Sequence, residues 1–194
     1  MVQVQSEPPS PFLIQRIIMQ NTIIQKAVNK DLNSILEITK DALNAMKTMN
    51  FHQWDENYPN EIVFQEDIQA QELYVFKEND EILGFICINE KFEPEFYKQV
   101  IFNKNYDDKA FYLHRLAVKQ NAKGKGVAQK LLNFCENFAL ENHKASLRAD
   151  THSKNFPMNS LFKKLDFNFC GNFDIPNYQD PFLAYEKILN QKAF

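Results

Sequence analysis

Hydrophobic positions along the chain change period several times, and each change marks an element. Residues 23–28 form a short, partly β-branched run that reads as a strand. Asn29 and Asp31 then offer cap chemistry to a helix whose Leu32, Ile35, Leu36, Leu43 and Met46 fall at helical spacing. Pro59 suits the first turn of a second helix, with Ile62, Val63, Glu66 and Asp67 following before Gln71. Residues 73–76 and 82–88 are apolar runs separated by a charged turn over 77–81, the pattern of an antiparallel hairpin. Residues 91–108 are polar and aromatic and show no clear period.

Residues 110–118, AFYLHRLAV, are apolar enough to be a central strand. Past a loop at 119–125, Val127, Ala128, Leu131, Leu132, Cys135, Phe138 and Ala139 make the clearest amphipathic helix of the chain. A strand over 146–151, a helix over 155–165 and two closing strands, 167–173 and 182–188, complete the pattern. The order β α α β β β α β α β β interleaves four helices with seven strands and predicts a three-layer α/β domain.

Composition narrows this picture. The 194 residues are 44% hydrophobic, enough for one substantial core, and residues 21–194 read as a single domain. Residues 1–20 carry Pro8, Pro9 and Pro11 and read as a loosely ordered extension, with Met19 an alternative start. Their apolar run is too short for a membrane span. With 22 Lys and Arg against 25 Asp and Glu, the net charge is −3, which argues against nucleic acid or an anionic membrane as partner. Cys87, Cys135 and Cys170 are widely spaced in apolar segments, as reduced core thiols of a cytoplasmic protein are, and no metal-ligand spacing occurs.

Two of the four glycines, Gly124 and Gly126, lie between the central strand and the best helix. A strand, a glycine-containing loop and a helix start together present backbone N–H groups and a positive dipole end, which suits an anion. Lys119, Lys123, Lys125 and Lys130 crowd the same turn. A Walker loop is excluded because Gly126, not Ser or Thr, follows Gly124-Lys125. A dinucleotide fingerprint would need glycine or alanine at Gln129.

HRLAV followed by KGKGVAQKLL resembles the acetyl-CoA signature of the GNAT superfamily of N-acetyltransferases. The family pattern Gln/Arg-x-x-Gly-x-Gly/Ala falls on Lys123, Gly124, Lys125, Gly126, Val127 and Ala128, with lysine in place of Gln/Arg. Downstream, Asn155-x-x-Met158-x-x-Leu161-Phe162-x-Lys164-Leu165-Asp166-Phe167 resembles a second family segment, with Phe162 where tyrosine is frequent and Asp166 where glycine is. QWDENYP at 53–59, with Asp67 beyond it, resembles a bacterial branch of the family. The resemblance implies the GNAT fold: a mixed sheet of about seven strands, splayed between strands 4 and 5 where pantetheine inserts, and about four helices. It further implies acetyl-CoA as co-substrate, no metal, the backbone of Leu116, Ala117 and Val118 against the thioester, and Asn155 and Phe162 beside the pantetheine arm and sulfur.

An amine acceptor needs a proton acceptor. His114, on the central strand, is the candidate base, and His152 has a smaller claim. Trp54 and Tyr58 are candidate acceptor-binding residues, since an aromatic face beside Asp55 and Glu56 suits a cationic amine. The reaction expected is direct transfer of an acetyl group to a small-molecule or peptide amine in a ternary complex. A non-catalytic acyl-CoA-binding or regulatory module is the alternative, and a homodimer stays open.

Overall fold

The strands β1 (Thr22–Lys26), β2 (Leu73–Glu78), β3 (Glu81–Asn89), β4 (Ala110–Val118), β5 (Ser146–His152), β6 (Asn168–Phe173) and β7 (Phe182–Ile188) form one sheet in the order β1-β2-β3-β4-β5-β7-β6. The helices α1 (Leu32–Thr48), α2 (Glu61–Gln69), α3 (Val127–Glu141) and α4 (Phe156–Lys164) join them in the order expected from the sequence. This computed structural model describes residues 22–92, 94, 95 and 97–189. The extension expected over residues 1–20, and Met19 with it, lies outside the described residues.

One core cluster packs the sheet against α3 and α4 through residues such as Leu131, Cys135, Leu147 and Phe162. A second packs the other face against α1 and α2 through Ile35, Ile38, Phe64 and Phe85. The result is the expected three-layer α/β arrangement. Several boundaries differ by a few residues from the sequence expectation, and two of them have a physical cause on view. The second helix begins after Pro59, at Glu61, because the Asn60 side chain accepts from Val63 N at 3.1 Å and sets the cap. The hairpin turn shrinks to Asn79 and Asp80, both with positive φ, so β2 runs on through Lys77, whose ammonium is buried against Asp31 at 2.8 Å.

The feature that positions the site is the join between β4 and β5, the parallel pair of an otherwise antiparallel sheet. Their pairing runs from Ala110–Ser146 to Leu113–Ala149 and stops there. Beyond it β4 follows β3 to Val118 while β5 follows β7 to His152. A bulge accompanies the parting: Phe85 faces Ala117 and Cys87 faces His114, so Arg115 and Leu116 together oppose Ile86, and Arg115 takes φ 51°. A bulge of this kind bends and twists its strand. The expected splay between strands 4 and 5 is therefore present.

Candidate functional site

At the end of β4 the chain passes through a 3-10 turn, Gln120–Ala122, into the loop that opens α3. Gly124 and Gly126 both sit at φ 79°, where a side chain is strained, and a Cβ added to either would meet nothing within 4 Å. Gly126 is the N-cap of α3 and offers no side-chain cap. Lys130 N donates to Gly126 O at 2.9 Å, so the preceding first-turn amides have no acceptor within the helix. The start of a 15-residue helix thus presents donors and a positive dipole end to open space. Lys119 N donates to Leu83 O, so strand alternation turns the Val118 amide to the opposite edge, where β5 no longer pairs.

Two cavities meet where the strands part. A slot of about 50 Å³ lies among Leu116 of β4, Leu132 of α3, and Asn155, Met158 and Phe162 at α4. A larger cleft of about 360 Å³ opens beyond it. Gln53, Trp54, Leu113, His114, Arg115 and Asp150 line both. Of the residues expected from the sequence, Leu116, Asn155 and Phe162 border the slot, while His114, Trp54 and Tyr58 border the cleft. Asn155 also caps α4, its Oδ1 accepting from Met158 N and its Nδ2 donating to Thr151 Oγ1 and Gln53 Oε1. Phe162 is buried, its ring 5.0 Å from Phe167 and 5.1 Å from Tyr185.

The 53–59 segment has a different chemistry from the one expected. Asp55 accepts from the amides of Asn57 and Tyr58 and shapes the turn, and neither Asp55 nor Glu56 lines the cleft. Trp54 lines the cleft while most of its side chain is buried in the second core cluster. Gln53 is the clamp: its Oε1 accepts from Thr151 Oγ1, His152 N and Asn155 Nδ2. Tyr58 accepts from Arg115 Nη1 at 2.9 Å, and Arg115 makes a bidentate pair with Asp67, Nε to Oδ2 at 2.9 Å and Nη2 to Oδ1 at 2.7 Å. Burial pushes the Asp67 carboxyl above its usual range and the guanidinium opposes that shift. This pair ties α2 to the bulge of β4. An arginine inside an apolar strand was its sequence signal.

His114 belongs to a second chain of hydrogen bonds. Asn89 Oδ1 accepts from Lys91 N at 3.0 Å and Asn89 Nδ2 donates to Glu72 Oε2 at 2.9 Å, which fixes the orientation of the amide. His114 Nε2, 3.2 Å from Asn89 Oδ1, is therefore the protonated nitrogen and Nδ1 the basic one. Burial, with Arg115 and Lys91 nearby, pulls its pKa down to about 3, so the ring is neutral at pH 7 and a weak proton acceptor. The base role expected of it rests on a poorly matched pKa. His152 is a core residue, buried against Phe51 at 5.1 Å and Phe182 at 5.3 Å.

The lowered pKa of His114 has a measurable consequence. An unfolded histidine, with pKa about 6.5, binds a proton that the folded ring refuses, so the stabilising contribution is present above that value and is lost as pH falls toward 3. Between pH 7 and pH 5 wild type should lose about 2 kcal/mol more than His114→Gln, which keeps a donor for Asn89. Urea midpoints at the two pH values measure the difference. Equal losses would mean that the ring is solvated.

Residues missed by the sequence reading come from aperiodic segments: Tyr97 from the 91–108 stretch, and Ile175 and Tyr178 from the β6–β7 connection, all on the cleft wall. Asp67, Glu72 and Cys87 bring ligand atoms within 4.8 Å of one another. Both Asp67 oxygens are taken by Arg115, Glu72 Oε2 by Asn89 and Lys91, and burial holds the Cys87 thiol up at about 12. The two carboxylates are thus already matched by Arg115, Lys91 and Asn89.

Comparison with known proteins agrees with this fold. The chain resembles the crystal structure of a GNAT-family acetyltransferase from Streptococcus agalactiae, at 26% identity and TM-score 0.74, over 88% of this chain and 97% of the other. It also resembles a Staphylococcus aureus Mu50 protein classed as an acetyltransferase, at 30% identity and TM-score 0.68, over 87% and 99% of the two chains. The uncharacterized N-acetyltransferase YesJ of Bacillus subtilis is 20% identical over 147 residues, which are 75% of this chain and 81% of YesJ. The sequence profile described as the Acetyltransferase (GNAT) family matches residues 32–167, and the chain belongs to that family of acetyltransferases.

Proposed function

We propose that the protein is an acetyl-CoA-dependent N-acetyltransferase that passes an acetyl group to an amine by direct attack in a ternary complex. The observation that carries this reading is the meeting of a narrow slot and a wider cleft at the place where β4 and β5 part. A thioester arm entering from one side and an amine entering from the other would come together there. The work is done by a single domain, residues 21–194. The three cysteines are free thiols, which suits the cytoplasm as its working location.

Acetyl-CoA supplies an activated acyl thioester. In this reading the amides from Lys123 to Ala128 hold its pyrophosphate, as their open placement at the head of α3 favours. Leu116, Ala117 and Val118 line the thioester arm by backbone, and the outward Val118 amide donates to the developing oxyanion. Asn155 and Phe162 flank the arm from α4. Phe162 has no proton to give, and a thiol of pKa about 8.5 leaves as thiolate at neutral pH without one. Positioning alone lowers the barrier by several kcal/mol.

The cofactor assignment is tested by thermal unfolding. Acetyl-CoA at about 100 times its dissociation constant should add about 2.7 kcal/mol of stability. Gly126→Val puts a β-branched side chain at φ 79° in the middle of the cradle, and the shift should vanish while the variant still unfolds cooperatively. No shift for wild type in millimolar acetyl-CoA would overturn the assignment.

A further inference from the structure

The cleft beyond the acetyl site has its own chemistry, and it bears on the acceptor. Six of the side chains that line it are aromatic: Trp54, Tyr58, Tyr97, Phe173, Tyr178 and Phe182. Its volume, about 360 Å³, is at the low end of the ~300–1,000 Å³ range of small-molecule pockets. The two cations of its wall are each matched by a carboxylate set back from the lining, Arg115 by Asp67 at 2.7 Å and Lys91 by Glu72 at 2.8 Å. Among the described residues, the carboxylate in the lining itself is Asp150. Tyr97 Oη donates to its Oδ2 at 2.7 Å, which fixes the carboxyl group in place. Asp150 follows Ala149, the last β5 residue paired to β4, and it lines both the slot and the cleft.

We infer that the acceptor is a primary amine carried on an aromatic body, with its nitrogen placed at Asp150 and its ring against the aromatic wall. The inference rests on the acetyl-transfer reading above and names the substrate class of the same site. Ring faces attract an amine that carries positive charge, and stacked or edge-on rings hold a flat body. Asp150 contributes most where charge develops. An ammonium that arrives there first gives one proton to solvent by way of Asp150. As the freed lone pair forms the C–N bond, the nitrogen becomes positive again; the C–S bond then breaks with its electron pair on sulfur, and the second N–H proton leaves through Asp150 to solvent or the thiolate. A carboxylate fixed at that point stabilises the charge present in the transition state and absent from the neutral amine. Among the described residues, the other titratable groups that line the cleft with Asp150 are Tyr58 before α2, Tyr97 of the 91–108 stretch, His114 and Arg115 of β4, Lys91 after β3, and Tyr178 before β7. His114, neutral at pH 7, does not compete for the role.

The experiment is thiol release from acetyl-CoA with three acceptor classes at equal concentration: 2-phenylethylamine and tryptamine, the alkylamine hexylamine, and a short peptide with a free N-terminus. The aryl amines should exceed both others in kcat/KM by at least tenfold. Asp150→Asn should lower kcat/KM for the aryl amines by about 30- to 100-fold, mostly in kcat, while the acetyl-CoA thermal shift stays as in wild type. Tyr178→Leu should shrink the preference for aryl over alkyl amine. A peptide or alkylamine preferred over both aryl amines, or Asp150→Asn within threefold of wild type, would overturn the inference and leave the acetyl-CoA reading standing. Absence of the thermal shift in wild type would overturn both.

Discussion

Asp67→Asn is expected to destabilise the protein by about 3–5 kcal/mol, because it leaves the Arg115 guanidinium as a buried charge without its counter-ion. The side chains of Arg115 and Asp67 are 12% and 5% exposed, which places the pair among buried ion pairs rather than surface ones. Against a total stability of about 5–15 kcal/mol, such a loss is large. It falls where β4 bulges at φ 51° and opens the splay, so turnover should fall along with stability. Equilibrium urea unfolding of wild type and variant measures the first effect. A loss under about 1 kcal/mol would mean that the pair behaves as a surface ion pair, worth little because water already screens it.

A second large effect is expected at Arg148, the most buried cation of the described residues at 1% exposure. Its Nε donates to Glu186 Oε1 at 2.8 Å, Nη1 to Tyr112 Oη at 2.9 Å, and Nη2 to Asn103 O at 2.9 Å. The guanidinium also lies 4.5 Å from the centre of the Phe102 ring. Asn103 N in turn donates to Glu186 Oε2, so the pair staples the long connection before β4 onto β7. That connection carries Tyr97 to the cleft. Arg148→Ala strands the buried Glu186 and should cost about 3–5 kcal/mol, whereas Arg148→Met with Glu186→Gln should cost at least 1 kcal/mol less than the sum of the two single changes. Strict additivity in a double-mutant cycle would show that the two side chains are held independently.

The sheet and helices were legible because each has one buried face or stripe, and burial imposes the period. Residues 110–118 and 182–188 were read with the bounds that β4 and β7 have. The C-terminal end of β2 was not legible: Lys77 and Glu78 look like a turn until pairing with β1 and the Asp31 carboxylate are known. Gly124 and Gly126 marked the loop between β4 and α3, and both take positive φ there.

The cleft was legible in part. Trp54, Tyr58 and His114 were singled out, and all three border it. The partners that set their chemistry were not visible, because they are brought together by the fold and not by spacing. Asp67 lies 48 residues from Arg115, and Asn89 lies 25 from His114. Tyr97 and Tyr178 stand in stretches without a period, where a core tyrosine and a cleft tyrosine look alike. The acidic pair beside Trp54 pointed to a cation site by composition, but Asp55 is spent on its own turn.

The measurement that bears most directly on acetyl transfer is a joint assay of thiol release and amide formation, with wild-type protein, acetyl-CoA and 2-phenylethylamine. Thiol and N-acetyl product should appear in equal amounts, with both substrates required together and with intersecting double-reciprocal plots, as direct attack in a ternary complex demands. The same product should be lost in Gly126→Val. Tight acetyl-CoA binding with neither thiol nor amide formed, across this amine and the alkyl and peptide amines alike, would contradict acetyl transfer and leave an acyl-CoA-binding module.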